Sequence, residues 1–382
     1  MVLSNVHIID EQLPQDIHIE NGMITHINEA GKFPAIPNIH FENAIAFPGL
    51  VNSHDHLDFN LFPQLGNRIY NNYAEWAHDI QSRDKAIMNR ILKVPLKERI
   101  QWGIYKNLLN GVTTVINHGN QLKVDNELIC VYQQARSLHS IQFEKNWKLK
   151  LNRPGTVPVA IHIGEGTDQS SYEEISSLIK WNILKKEIIG IHGVAMDAEQ
   201  AKHFKALVWC PASNYFLLNK TAAIKELKKS TVILFGTDST LTTGWNIWKQ
   251  LRLAKKLRML EDKELYESVN SNAANVWKIN TGSFSKNKNA DVVVAKRKND
   301  LTFIDSFFSI NPEDILLVVH NGFIRLFDES IKDQLNEEAT SKQFSTITIN
   351  GAVKNVAGDL PGLEKKIAEY CDGIRFPFYS TT

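Results

Sequence analysis

The chain has 382 residues, 43% of them hydrophobic, enough for a large core and more than one domain. Lysine plus arginine number 43 and aspartate plus glutamate 42, and a formal charge of +1 leaves no electrostatic footprint for nucleic acid. No apolar run approaches the ~20 residues of a membrane span, and the start, Met1-Val2-Leu3-Ser4-Asn5-Val6-His7, lacks the basic-then-apolar pattern of a signal peptide. Cys130, Cys210 and Cys371 are too scattered for a disulfide framework or a cysteine-based zinc module, and they fit a reducing compartment. The expectation is a cytoplasmic protein acting on a small molecule, with neither nucleic acid nor membrane as partner.

Val6 to Ile9, Asp16 to Glu20 and Met23 to Ile27 are β-rich runs, and Asn21-Gly22 between the last two is a strong hairpin signal. The first 47 residues therefore predict a small antiparallel sheet. The pattern changes at Ala46 to Val51. Short apolar runs follow at Val112 to Asn117, Val157 to His162, Ile188 to His192, Ala206 to Cys210 and Thr231 to Gly236. Amphipathic stretches lie between them, at Lys97 to Asn110, Ser171 to Leu184 and Trp245 to Leu260. Such alternation predicts a parallel sheet with helices outside. Residues 48–281, about 230 in all, come close to the ~250 of a (β/α)8 barrel. Strand-like runs return at Ala290 to Ala295, Ile315 to Val319 and Phe323 to Phe327, with a second Asn-Gly pair at Asn321-Gly322. The expected fold is α/β. It has a (β/α)8 TIM-like barrel over 48–281, a small β-sandwich domain from 1–47 and 282–340, and an extension over 341–382. Within that extension Leu363 to Tyr370 reads as a helix and Arg375 to Thr382 as a loose tail.

His54 and His56 stand two apart at the end of the first barrel run. On a strand, that spacing points both imidazoles to one side, toward the rim where such barrels keep their sites. A lone His-x-His also occurs in loops that bind nothing. His162 closes one apolar run with Glu165 three residues on, His192 closes another, and Asp238 follows a third. Taken singly, each histidine fits a core residue bonded to a carbonyl, and Asp238 fits a helix cap. Taken together, nitrogen and oxygen donors converge from several strand ends. That is the donor set of Zn²⁺ or Fe²⁺, with Glu165 a spare carboxylate for proton transfer.

These segments resemble the amidohydrolase superfamily, in its cytosine deaminase, guanine deaminase and triazine hydrolase branch. Phe47-Pro48-Gly49-Leu50-Val51-Asn52-Ser53-His54-Asp55-His56-Leu57 is similar to the first-strand motif, and Gly111 to Val115 to the second-strand segment. His162-Ile163-Gly164-Glu165 resembles the His-x-x-Glu of the deaminase-like branch, and Cys210-Pro211-Ala212-Ser213-Asn214 its Cys-Pro-x-Ser-Asn. Gly236-Thr237-Asp238-Ser239 resembles the last-strand motif; Asn272-Ala273-Ala274 and Asn289 to Val294 resemble the return into the small β domain.

The resemblance implies one divalent ion, Zn or Fe, on His54, His56, His162 and Asp238. It implies that His192 bonds the metal's water or the developing oxyanion, and that Asp238 accepts a proton as metal-bound hydroxide attacks. Glu165 would then shuttle protons to the leaving group. The implied reaction is hydrolysis of a non-peptide C–N bond, foremost deamination of a nitrogen heterocycle. Amidase, cyclic amidase or chlorohydrolase-type chemistry is the alternative in the same site. A barrel without catalysis, serving as a binding or scaffold protein, is a second alternative. The resemblance leaves room for a homodimer.

The loop 58–79 is rich in asparagine and aromatic residues, and its pattern names no substrate. Trp76 in that loop, Asn214 and His118 are the expected substrate contacts. Asn117-His118-Gly119 departs from the branch, and by itself His118 fits a structural histidine better. Lys145 falls where a binuclear relative carries a carboxylated lysine, but His-x-x-Glu marks the mononuclear branch, so a solvated lysine is preferred. His7, His18, His40, His78, His139, His203 and His320 show no partner pattern and receive no role.

Overall fold

The computed structural model describes residues 1–31, 38–124, 127–298, 301–335 and 343–380. Strands β1 (Val2–His7), β2 (Gln15–Glu20), β3 (Met23–Glu29) and β4 (Asn38–Pro48) open the chain. The turn between β2 and β3 falls on Asn21 and Gly22, with φ of 49° and 77°. Both are left-handed, as a two-residue hairpin of matching twist requires.

The chain then enters a barrel of parallel strands. These are β5 (Leu50–Asp55), β6 (Val112–Asn117), β7 (Cys130–Tyr132), β8 (Arg136–Ser140), β9 (Val159–Ile163), β10 (Ile188–His192), β11 (Ala206–Trp209) and β12 (Val232–Phe235). Hydrogen bonding divides them into a three-stranded arc, β5-β6-β7, and a five-stranded arc, β8 to β12. The amides of Thr237 and Asp238 donate to the His54 carbonyl at 3.1 and 3.0 Å, which brings β12 against β5.

Helices Gln169–Trp181, Ala198–Ala201 and Pro211–Leu218 follow β9, β10 and β11 as the alternating pattern predicts. Between β6 and β8, by contrast, no helix occurs among the described residues. β7 spans only three residues and β8 carries one apolar residue, Leu138, so no run in the sequence announced them.

β13 (Val292–Lys296), β14 (Ile315–His320), β15 (Phe323–Asp328), β16 (Phe344–Ile349), β17 (Ala352–Ala357) and β18 (Tyr379–Ser380) return to the first sheet. With β1 to β4 they make one ten-stranded sheet, ordered β18-β16-β17-β15-β14-β13-β4-β1-β2-β3. β4 lies between two cores. Ile45 and Phe47 face the barrel side, while Ala44 and Ala46 face the other. Val293 and Val292 divide in the same way on β13. Side chains alternate along a strand, and burial on both faces explains why these strands read as unbroken apolar runs.

The C-terminal tail corrects an expectation. Far from being loose, it places Phe376 and Phe378 with ring centroids 4.8 and 6.2 Å from Trp102, and Tyr379–Ser380 pairs with β16. Trp102 lies on the helix Leu96–Leu108, whose Tyr105 hydroxyl donates to the Ala357 carbonyl at 3.1 Å. On its other side the helix meets the segment after β5, where Gly103 lies against the Leu57 backbone.

Candidate active site

The strand ends meet at one rim because Gly236 permits it. A Cβ there would lie 2.8 Å from the His54 Cβ. His192 and Asp238 hold φ of 73° and 59°. Left-handed backbone costs a non-glycine residue of order 1–3 kcal/mol, and such strain gathers at functional sites.

The side chains then converge. His54 Nε2 lies 3.2 Å from His162 Nε2 and 3.7 Å from Asp238 Oδ1, and His56 Nε2 lies 3.8 Å from that same oxygen. His192 Nε2 stands 3.5 Å from Glu165 Oε2. Donor atoms of His54, His192 and Asp238 lie within 4.8 Å of one another, and so do those of His54, His118 and His162. All of these residues are buried.

Burial, then repulsion from neighbouring imidazoles, brings His56 to about 3 and holds His162 well below the usual histidine range. Burial also lowers His192 to about 4, partly offset by Asp238. These imidazoles are therefore neutral at pH 7 and present lone pairs to a cation. Burial alone would raise Asp238, but the hydrogen bond from His54 and the other histidines turned toward it hold it well below the usual carboxylate range. Burial, then the charges of Asp238 and Glu174, pushes Glu165 well above the usual carboxylate range. Two carboxyls driven apart in this way divide into a base and an acid. Neutral imidazoles around one ionised carboxylate suit a borderline divalent ion such as Zn²⁺ or Fe²⁺.

Outer contacts fix the inner ones. Asp238 Oδ2 accepts from Ser213 Oγ at 2.7 Å and Thr242 Oγ1 at 3.0 Å, so Oδ1 is the oxygen turned to the histidines. Asn214 Nδ2 donates to Thr221 Oγ1 at 3.1 Å, which leaves Asn214 Oδ1 to accept from His192 Nδ1 at 2.9 Å. His192 therefore shows its Nε2 lone pair to the site. Both Ser213 and Asn214 come from the Cys-Pro-x-Ser-Asn stretch.

Beneath the rim lies a polar knot that sequence reasoning missed. Asp55 Oδ2 accepts from Lys106 Nζ at 3.0 Å and Asn107 Nδ2 at 2.7 Å, and its Oδ1 from Asn60 Nδ2 at 2.9 Å. Lys106 Nζ also donates to Asn60 Oδ1 at 2.8 Å and to the Asp238 carbonyl at 3.4 Å. Lys106 is 1% exposed and Asp55 fully buried. On an amphipathic stretch, nothing in the sequence separates such a lysine from a surface one.

The other expected contacts fall as follows. Asn214 is fully buried, with its amide taken up by His192 and Thr221. Trp76 spends its Nε1 on the Leu65 carbonyl and packs near Tyr70, Leu217 and Leu218. His118 is buried among the site histidines, and Lys145 is exposed. His139, to which the sequence reading assigned nothing, has its ring 5.3 Å from His162. From it a run of rings leads outward, with Phe143 at 5.6 Å from His139, and Tyr73 and His78 at 5.5 and 6.0 Å from Phe143. The only signal was the strand Arg136–Ser140, too short and polar to stand out.

Histidines and one aspartate that could hold a divalent ion thus gather at the C-terminal rim of a (β/α)8 barrel, where such barrels keep their sites. Residues 151–324 match the amidohydrolase family. The 5-methylthioadenosine/S-adenosylhomocysteine deaminase of Caldicellulosiruptor saccharolyticus is 26% identical over 406 aligned positions, covering 88% of this chain and 94% of that protein. Among solved structures, an adenosine deaminase from Xanthomonas campestris with bound zinc has a TM-score of 0.73 at 15% identity, covering 98% of each chain. A triazine hydrolase from Arthrobacter aurescens has a TM-score of 0.66 at 14% identity, covering 97% of this chain and 98% of that one. The chain is thus similar to the amidohydrolase family over 151–324, and in sequence and fold to deaminases and a triazine hydrolase.

Proposed function

We propose that the protein is a metal-dependent aminohydrolase that removes ammonia from an amidine carbon of a nitrogen heterocycle. The observation that carries this reading is Glu165: a buried carboxyl raised well above its usual range, 3.5 Å from His192 and beside the donor cluster. Amine leaving groups depart poorly unless protonated, and a buried carboxyl whose affinity for its proton is raised is suited to hold and deliver that proton. Adenine nucleosides are the first substrates to assay, because two curated relatives bear the names of adenosine-derivative deaminases.

His54, His56, His162 and Asp238 would hold one ion, Zn²⁺ or Fe²⁺. When bound, such an ion lowers the pKa of water from ~15.7 to about 7 and polarises the group under attack. The rest falls to the chain's own residues. Asp238 Oδ1, ionised and clamped from behind by Ser213 and Thr242, accepts the proton of the attacking water. His192 Nε2, fixed as an acceptor by Asn214, orients that water. Glu165 protonates the ring nitrogen, takes up the remaining hydroxyl proton of the adduct and passes it to the departing amine; the proton held by Asp238 then returns to Glu165, which resets both carboxyls. The strand-end packing around these residues keeps bulk water away.

An ammonia-release screen over purines, pyrimidines, triazines and pterins, as bases and nucleosides, tests the reaction class. Glu165→Gln should keep its metal and lose turnover by ~10²–10⁴-fold, the usual worth of a positioned acid–base group. Near-normal turnover in that variant would remove Glu165 from the chemistry. No ammonia from any compound, with metal bound, would remove the aminohydrolase reading.

A further inference from the structure

We infer that His118 is a fifth protein donor to the metal centre, beyond the four residues named above. It follows β6, and its backbone amide donates to the Asp55 carbonyl at 2.9 Å, which seats it beside the end of β5. Its ring is 3% exposed. The ring centroid lies 4.4 Å from that of His162, 5.2 Å from His54 and 5.4 Å from His56.

The ring's two nitrogens differ. One side of the imidazole donates to the Leu138 carbonyl on β8. Nε2 has no hydrogen-bond partner among the described residues and no access to solvent. A neutral imidazole that donates from Nδ1 carries its lone pair on Nε2, so this lone pair is buried, unpaired and turned into the cluster. Buried polar nitrogens without partners are rare in native proteins. The donor atoms of His54, His118 and His162 lie within 4.8 Å of one another, a spacing in which one cation can satisfy all three. A structural histidine would have its second nitrogen bonded to a carbonyl or hydroxyl, and this one does not.

This inference rests on the reading that the pocket holds a divalent ion. It goes further by raising the donor count above the four of ordinary structural zinc sites. A carbonyl-anchored imidazole also fixes the direction of its own lone pair, as a metal-bound histidine usually requires.

The test uses cobalt(II) added to the full-length protein after metal removal by chelation, following stoichiometry, affinity and the visible d–d spectrum. Wild type should take up one equivalent. His118→Ala should still take up one equivalent, bind roughly ten-fold or more weakly, and show intensified d–d bands as the coordination number falls. Added imidazole should restore the wild-type spectrum, which a merely structural role would not allow. His118→Phe keeps the ring volume without a lone pair and serves if the alanine variant does not fold. Wild-type spectrum and affinity in both variants would overturn this inference alone. Two equivalents in wild type falling to one in the variants would overturn it too, since His118 would then serve a separate ion. No cobalt uptake by wild type would overturn the metal reading itself, and this inference with it.

Discussion

Replacing Lys106 by methionine removes the one cation from the knot beneath the site. Asp55 would stay fully buried with only side-chain amides to compensate it, those of Asn60 and Asn107 at 2.9 and 2.7 Å and that of Asn52 at 3.5 Å. Removing one partner of a buried ion pair costs about 3–5 kcal/mol, because the remaining charge is uncompensated. An unfolding entropy of ~2.1 cal/mol/K per residue scales to about 0.8 kcal/mol/K for 382 residues, so Tm should fall by about 4–6 °C. The measurement is a thermal and urea unfolding pair on metal-free protein, so that lost metal cannot imitate lost stability. Asp55→Asn/Lys106→Met should recover part of the loss, since it leaves no unpaired charge. Metal affinity should also weaken in Lys106→Met, because Lys106 Nζ reaches the Asp238 carbonyl at 3.4 Å. A single variant as stable as wild type, or a double variant less stable than the single, would refute the argument.

Burial raises the Glu174 carboxyl from 4.5 to about 7, while it accepts from the Gly164 amide at 2.7 Å. The folded protein keeps a proton that the unfolded chain has released, so stability present below pH 4.5 is lost as pH rises through about 7. At about 1.4 kcal/mol per pH unit, Glu174→Gln should gain about 3 kcal/mol on wild type between pH 4.5 and 8; a pH-independent difference in urea unfolding would contradict this. His56→Ala should lower metal occupancy measured by elemental analysis, and unchanged occupancy would remove His56 from the ligand set. Gly236→Ala should cost about 1–3 kcal/mol from overpacking, since its Cβ would meet Val208 Cγ1 at 2.7 Å and His54 Cβ at 2.8 Å. It should also weaken metal binding through displaced His54, and a variant matching wild type in both would show that the β12–β5 contact yields.

Local signals marked most of the barrel and both hairpin ends. The run Val112 to Asn117 coincides with β6 and Ile188 to His192 with β10, because strands buried on both faces must be apolar throughout. His54, His56, His162, His192 and Asp238 could be listed from the sequence because each closes such a run. What the sequence could not contain was distance. That His54 Nε2 lies 3.2 Å from His162 Nε2, and that Ser213 backs Asp238 while Asn214 backs His192, depends on strands far apart in the chain closing a barrel. Lys106 reads as a solvated helix residue until the fold sets its ammonium on Asp55, Asn60 and the Asp238 carbonyl. Phe376 and Phe378 read as a tail until Trp102 gives them a surface. His139 shows no local pattern, and His118 follows a strand run that points only to a pocket contact; packing alone sets His139 against His162 and leaves His118 Nε2 buried with no hydrogen-bond partner among the described residues. Periodicity and strand-end position are properties of the chain alone, so the sequence determined the elements and the donor types. Burial, pairing and the direction of a lone pair belong to the assembled core, and only the tertiary structure decided them.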